Sequence, residues 1–343
     1  MVKKETFGML PDGRMVHIFT ITNSFGEYVQ LLDFGATIHS IVVLDQFKNL
    51  GDVTLGAPDA AGIATCSYMG GIIGRYSGRV PGGTYSIDGV TYQLEQNLGE
   101  DFCHGASGNY ARKLFEGNCV GEDQVVFTLR DAGDGGFGNC MDVTVRYSFG
   151  DDHCLKLVMD MAAEETTIVG PTNHAYFNLA GQDARDLILK ITAEYCTGKT
   201  PAGAADGTMQ SVAGTPADFR EARTLRSAMA SDPGYFAQEP AGYDTYYIFE
   251  NTGMEMKAEL SCPENGRRLQ VWSDAPGMVL YTPVGRKPEP GKDGLVYGSG
   301  YTGVCLQPGN IPNAANCPAY ASPVCKKGDT YRLNIAYAFG VTD

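Results

Sequence analysis

The chain has only five histidines, and two of them stand where a side chain could move protons. His104 lies in "NLGEDFCHGASGNY", a segment crowded with turn formers. His174 lies in "GPTNHAYFNLAG", among Asn173, Tyr176 and Asn178. An imidazole changes charge near neutral pH, and polar side chains set between apolar ones suggest a lined cleft. Asp244, in "GYDTYYIF", is one carboxylate among aromatic rings. That combination suits the faces and hydroxyls of a sugar, and it equally suits an ordinary strand. Arg75 and Arg79 sit in the glycine-rich "GGIIGRYSGRV", which lacks the Gly-Lys-Ser/Thr ending of a phosphate loop. Taken alone, each histidine reads equally well as structural. His17 and His39 fall inside alternating stretches and His153 in the turn "GDDHC", positions that ask for no chemistry. No serine nucleophile elbow and no H-E-x-x-H pattern occurs.

The elements that must hold these residues read as strands. "RMVHIFTITN" and "EYVQLLDFGATIHSIVVLD" alternate apolar and polar residues and are rich in Val, Ile and Thr. "GTYSIDGVTYQLEQN" predicts a hairpin turning at Asp88-Gly89. "DQVVFTLRD", "MDVTVRYSFGDDHCLKLVMDMAAE", "RRLQVWSDAPGMVLYTP" and "DTYRLNIAYAF" predict further strands. Helical character is limited to Phe219–Ala230, one turn or two. The 44 glycines and 17 prolines favour many turns. No linker, charge block or repeat divides the chain, and no strand–helix alternation calls for a parallel sheet. The expectation is an all-β protein, a large antiparallel β-sandwich forming a single domain over residues 1–343.

A net charge of -14 repels polyanions, so no nucleic-acid partner is expected and a neutral small molecule fits better. No long apolar run predicts a membrane span, and the first residues lack a secretory pattern, so a cytoplasmic location is expected. The ten cysteines include no C-x-x-C pair. They are expected as reduced thiols, mostly in the core, with no metal site.

Read in order, the segments "LLDFGATIHSIVV", "GDVTLG", "GRYSGRV", "CHGASGNYARKLFEG", "TNHAYFNLAG", "GTPADFR", "GYDTYYIF", "APGMVLYTP" and "GVCLQPGNIPNAANCP" resemble those of the aldose 1-epimerases, or galactose mutarotases. The resemblance covers nearly the whole chain, and "TNHAYFNLAG" is its most specific match, to T-N-H-S-Y-F-N-L-x-G. It implies a β-supersandwich of the galactose mutarotase type, a monomer or homodimer, and no metal or nucleotide cofactor. It also implies an isomerase that exchanges the anomers of a free sugar. In that chemistry a carboxylate takes the C1 hydroxyl proton while a histidine protonates the ring oxygen. Carried over, His174 is the proton donor, and His104 holds the hydroxyls or the ring oxygen. Arg75 or Arg79, Asn173 and Asp244 bind the remaining sugar groups.

The departures fall at the site. The family's glutamate in C-L-E-P is Gln307 here, and an amide is no proton acceptor at ordinary pH. The asparagine of A-N-R is Gly78, and the glutamine of P-G-x-Q-F-Y-T is Val279. Thr245, Gly309 and Asn313 also depart from the pattern. A designed Glu→Gln exchange would explain Gln307 alone, whereas a divergent member explains the group. Gly78 and Val279 predict a roomier, less polar pocket for a less hydroxylated or more substituted ligand. Glu100 or Asp101, just before His104, is a candidate replacement carboxylate.

Overall fold

The computed structural model describes residues 1–181, 183–236, 242–285, 287–298 and 300–342. Three antiparallel sheets dominate. A five-stranded sheet takes the first strands in chain order, from Val2–Met9 to Leu50–Asp52. A nine-stranded sheet begins at Glu116–Val120, and its middle is the long strand Thr330–Val341, which lies between Cys154–Ala163 and Arg267–Ser273. A six-stranded sheet, ordered Tyr176–Phe177, Val304–Gly309, Gly277–Tyr281, Asp244–Ile248, Tyr195–Lys199 and Ala205–Ser211, carries the candidate site.

Period-two patterning explains the layering. Met141–Phe149 buries alternate residues, so Val143, Val145 and Tyr147 face inward and Asp142 faces water. The inward faces of the three sheets meet in one cluster. Phe19 and Leu31 come from the first sheet, Val145 and Ile335 from the second, Leu280 and Leu306 from the third. Each fully buried side chain of this size contributes roughly 1.5–3 kcal/mol of transfer free energy. The expected hairpin is present: Ile87 pairs with Val90 across Asp88 and Gly89, both at positive φ as a type I′ turn requires. The expected helix starts later than the sequence suggested, at Leu225–Ser231, because the Thr224 side chain caps it by accepting the Ser227 N–H. None of the ten cysteines is bridged in a disulfide, and Cys66, Cys196, Cys262, Cys305, Cys317 and Cys325 are buried. No helix among the described residues is long and apolar enough to cross a membrane.

Two histidines outside the site serve the fold. His17 Nδ1 bonds Asp33 at 2.7 Å. His39, in strand Thr37–Leu44, is buried, and its Nδ1 has no hydrogen-bond partner among the described residues. Burial and then the Lys292 ammonium depress its pKa to about 4, partly opposed by Asp52. The folded value lies below the ordinary 6.5, so His39 stabilises the fold fully above pH 6.5 and loses that contribution as pH falls towards 4. At about 1.4 kcal/mol per unit, the expected loss across this window is about 3 kcal/mol. Urea unfolding at pH 7 and pH 4 should show a smaller acid loss for His39→Gln than for the parent. Equal losses in the two proteins would refute the assignment.

Candidate active site

The residues with chemistry converge on a cavity of about 230 Å³ above one face of the six-stranded sheet. Register explains its floor. Gln307 pairs with Val279, which pairs with Tyr246 on the next strand. One step along, Cys305 pairs with Tyr281, which pairs with Asp244. Side chains two apart share a face, so Gln307, Gly309, Val279, Tyr281, Asp244 and Tyr246 all line the cavity. The alternate residues Leu306, Leu280 and Tyr247 point into the core.

His174 follows strand Thr172–Asn173 and is anchored by its own backbone: its N–H donates to the Gly71 carbonyl at 2.9 Å, and its carbonyl accepts from Gly70. Its ring is stacked on Tyr176 with centroids 5.0 Å apart and lies edge-on to His104 at 5.8 Å. Nδ1 is 3.8 Å from the Cys305 sulfur. His174 therefore stands over Cys305, two residues from Gln307 on the same face.

His104 is held by reciprocal bonds to one glycine. The Gly78 N–H donates to His104 Nδ1 at 3.0 Å, and the His104 N–H donates to the Gly78 carbonyl at 3.1 Å. Because Nδ1 accepts, the neutral ring carries its proton on Nε2, so His104 offers a hydrogen-bond donor and no basic nitrogen there.

At the far end, Asp244 Oδ2 lies 3.9 Å from Arg79 and 3.7 Å from Lys199, and the Tyr246 hydroxyl donates to it at 3.5 Å. Arg79 also donates to the Ala202 carbonyl. Gln307 is 4 % exposed, yet its amide makes no hydrogen bond to any described residue. Its amide is not among the buried polar groups left without a partner, so it opens onto the cavity, where a ligand or water can bond it.

The structure brings together His104, His174, Gln307, Arg79, Asp244, Gly78 and Val279. Two expected substrate-binding residues are engaged elsewhere. Arg75 is fully buried behind the pocket: its guanidinium donates to Asp131 and to the Asn139 side chain and carbonyl, and it lies over the Phe137 ring. Asn173 shapes the backbone under His174, donating to the Gly70 carbonyl and accepting the Ala175 N–H. Glu100 and Asp101 do not line the cavity, and Asp101 instead accepts the Gly82 N–H. His153 is not simply solvated, because its Nδ1 meets Glu27 at 2.5 Å.

The expected extra room at Gly78 is also absent. A Cβ there would meet the Pro312 ring at 2.6 Å, so proline fills the space that glycine vacates. Sequence reading missed Tyr68 and Lys199, whose segments carry no motif pointing to a cleft, and Pro312, which lies in the quoted segment with Gln307 but was not singled out. Among the described residues, no group of three or more His, Cys, Asp or Glu is arranged to hold a metal ion.

The aldose 1-epimerase family model matches residues 17–338. The chain belongs to the aldose 1-epimerase family. Within it, the chain is 28% identical over 345 residues to the aldose 1-epimerase of Escherichia coli K12, covering 98% of each sequence. It is 28% identical over 349 residues to the galactose mutarotase of Rattus norvegicus, covering 99% of each. Among solved structures, the galactose 1-epimerase of Lactobacillus acidophilus NCFM superposes with a TM-score of 0.87 at 25% identity, covering 100% of this chain and 99% of that one. An aldose epimerase homologue from C. elegans gives the same TM-score at 23% identity, covering 95% of this chain and 99% of that one. The family fold is thus the galactose mutarotase type, and the family chemistry is that of an isomerase.

Proposed function

We propose that this protein exchanges the anomers of a free or modified monosaccharide by opening and reclosing its hemiacetal ring, acting as a single domain. One observation carries the reading: His174 packs on Cys305, two residues from the unpartnered amide of Gln307, on the floor of a cavity of about 230 Å³. That volume lies below the ~300–1,000 Å³ typical of drug-sized ligands. It suits one sugar ring, with tyrosines for its faces and Arg79 and Asp244 for its hydroxyls.

In this reading His174, protonated and with Nδ1 directed at Cys305, gives a proton from Nε2 to the ring oxygen. The C1–ring oxygen bond breaks with its electron pair on that oxygen, and C1 becomes an aldehyde as its hydroxyl proton leaves. Gln307 Oε1 accepts a hydrogen bond from that hydroxyl but not its proton, which passes to water. His104 steadies an oxygen through Nε2–H. After rotation about C1–C2, the ring hydroxyl gives its proton back to His174 as its oxygen attacks C1, and water returns a proton to the carbonyl oxygen, which becomes the C1 hydroxyl of the other anomer. The steps are proton transfers, cleavage and re-formation of the C1–ring oxygen bond, and a bond rotation, with no change of oxidation state, so the scheme needs no cofactor.

NMR exchange spectroscopy with glucose, galactose, xylose and arabinose tests this directly. At least one sugar should exchange faster with the protein than in buffer. His174→Ala should lower that acceleration by up to about a hundredfold, the lower end of what one positioned acid or base contributes. A second reading, a non-catalytic sugar-binding protein, is favoured by Gln307 itself. Binding of these sugars without acceleration of any would establish it instead.

A further inference from the structure

One side of the cavity offers a ligand almost no hydrogen bonds. The Gly78 N–H is spent on His104 Nδ1. Pro312, whose ring abuts Gly78, has no N–H to give. Val279, opposite Gln307, packs against the cluster of Tyr246, Ile311 and Ala314. The neighbouring polar side chains are partly committed: Asn310 donates one N–H to the Val169 carbonyl at 2.7 Å, and Thr172 donates its hydroxyl proton to the Pro308 carbonyl at 2.8 Å. The Ser77 hydroxyl has no bond of its own to a described residue, and the Gln307 amide lies at the edge of this wall, beside Val279.

Pro312 is the residue that makes this side solid. Without it, Gly78 would leave room for water, and a ligand hydroxyl could be satisfied by that water. With it, the wall is both apolar and filled. Gly78 cannot easily be replaced to restore polarity, because its φ of +82° disfavours most side chains and any Cβ collides with the proline.

We propose that Pro312 is a specificity-determining residue and that the pocket takes a deoxy sugar, one lacking a hydroxyl on the side enclosed by Gly78, Pro312 and Val279. This rests on the sugar reading above and narrows its substrate class. A sugar hydroxyl pressed on this wall loses its water and gains no partner. Apolar pockets reject an added hydroxyl by about a hundredfold at most, which bounds the expected preference.

The test is calorimetric titration of the intact protein with matched pairs: glucose against its 2-, 3-, 4- and 6-deoxy forms, and galactose against fucose. At least one deoxy sugar should bind about ten- to a hundredfold tighter than its parent. Pro312→Ala should cut that preference to less than about threefold. Val279→Gln, which places an amide on the same side without touching Pro312, should shift preference towards the hydroxylated parent, and it keeps the test open should Pro312→Ala misfold. If the parents bind and every deoxy form binds equally or more weakly, the deoxy assignment falls and the sugar reading stands. If no sugar of either kind binds or exchanges, both fall.

Discussion

Replacing Gln307 by glutamate is expected to accelerate anomer exchange by about a hundred- to ten-thousandfold, the range of one positioned general base. The substitution is nearly isosteric, so it changes basicity without changing shape. Position 307 is 4 % exposed on the cavity floor, and its amide has no described partner to lose. Burial raises a carboxyl's pKa, which brings a glutamate here closer to the working range of a base near neutrality. The rate of Gln307→Glu should therefore rise with pH as the carboxyl ionises. Exchange spectroscopy of the parent and the variant across pH 4–9 measures both effects. A gain below threefold on every sugar that binds would mean that this floor serves chemistry other than mutarotation.

Arg75→Met is expected to destabilise the protein by about 3–5 kcal/mol, the usual consequence of removing one partner from a buried ion pair. The guanidinium is fully enclosed and contacts Asp131 at 2.8 Å, while Asp131 also accepts from Tyr110 and from the Gly133 N–H. Methionine fills much of the volume but leaves the carboxylate without its countercharge. Asp131→Asn in the Arg75→Met background should recover part of the loss, because the stranded charge is then gone. Urea unfolding of the three variants reads this out. A loss below 1 kcal/mol in Arg75→Met would show that the pair is not the anchor of the Gly74–Gly78 loop.

Much of the frame was legible because strand alternation is written residue by residue. Val143, Val145 and Tyr147 announce a buried face, and the Asp88-Gly89 pair announces its turn. The site was legible where a motif spans a few residues, as at His174. It was less legible where function depends on contacts distant in sequence. Arg75 and Arg79 look alike in "GRYSGRV", yet Asp131 and Asn139 claim the first and the cavity receives the second. Pro312 was invisible for the same reason: its meaning lies in its contact with Gly78, more than two hundred residues away. Lys199 reaches Asp244 only through the pairing of strands Tyr195–Lys199 and Asp244–Ile248.

The floor of the cavity sorts its positions by parity. On Gly277–Tyr281 and Val304–Gly309, Val279, Tyr281, Gln307 and Gly309 meet the ligand space, and Met278, Leu280, Val304 and Leu306 are sealed. On Asp244–Ile248 the even residues Asp244 and Tyr246 meet it. Mutational drift can therefore explore one parity class freely while the other keeps the sandwich closed. An acid can become an amide, or an amide a valine, at a position whose neighbours in sequence never register the change. Inserting a single residue in one of these strands would exchange the two classes at once, so these strands tolerate a substitution far better than a change of length.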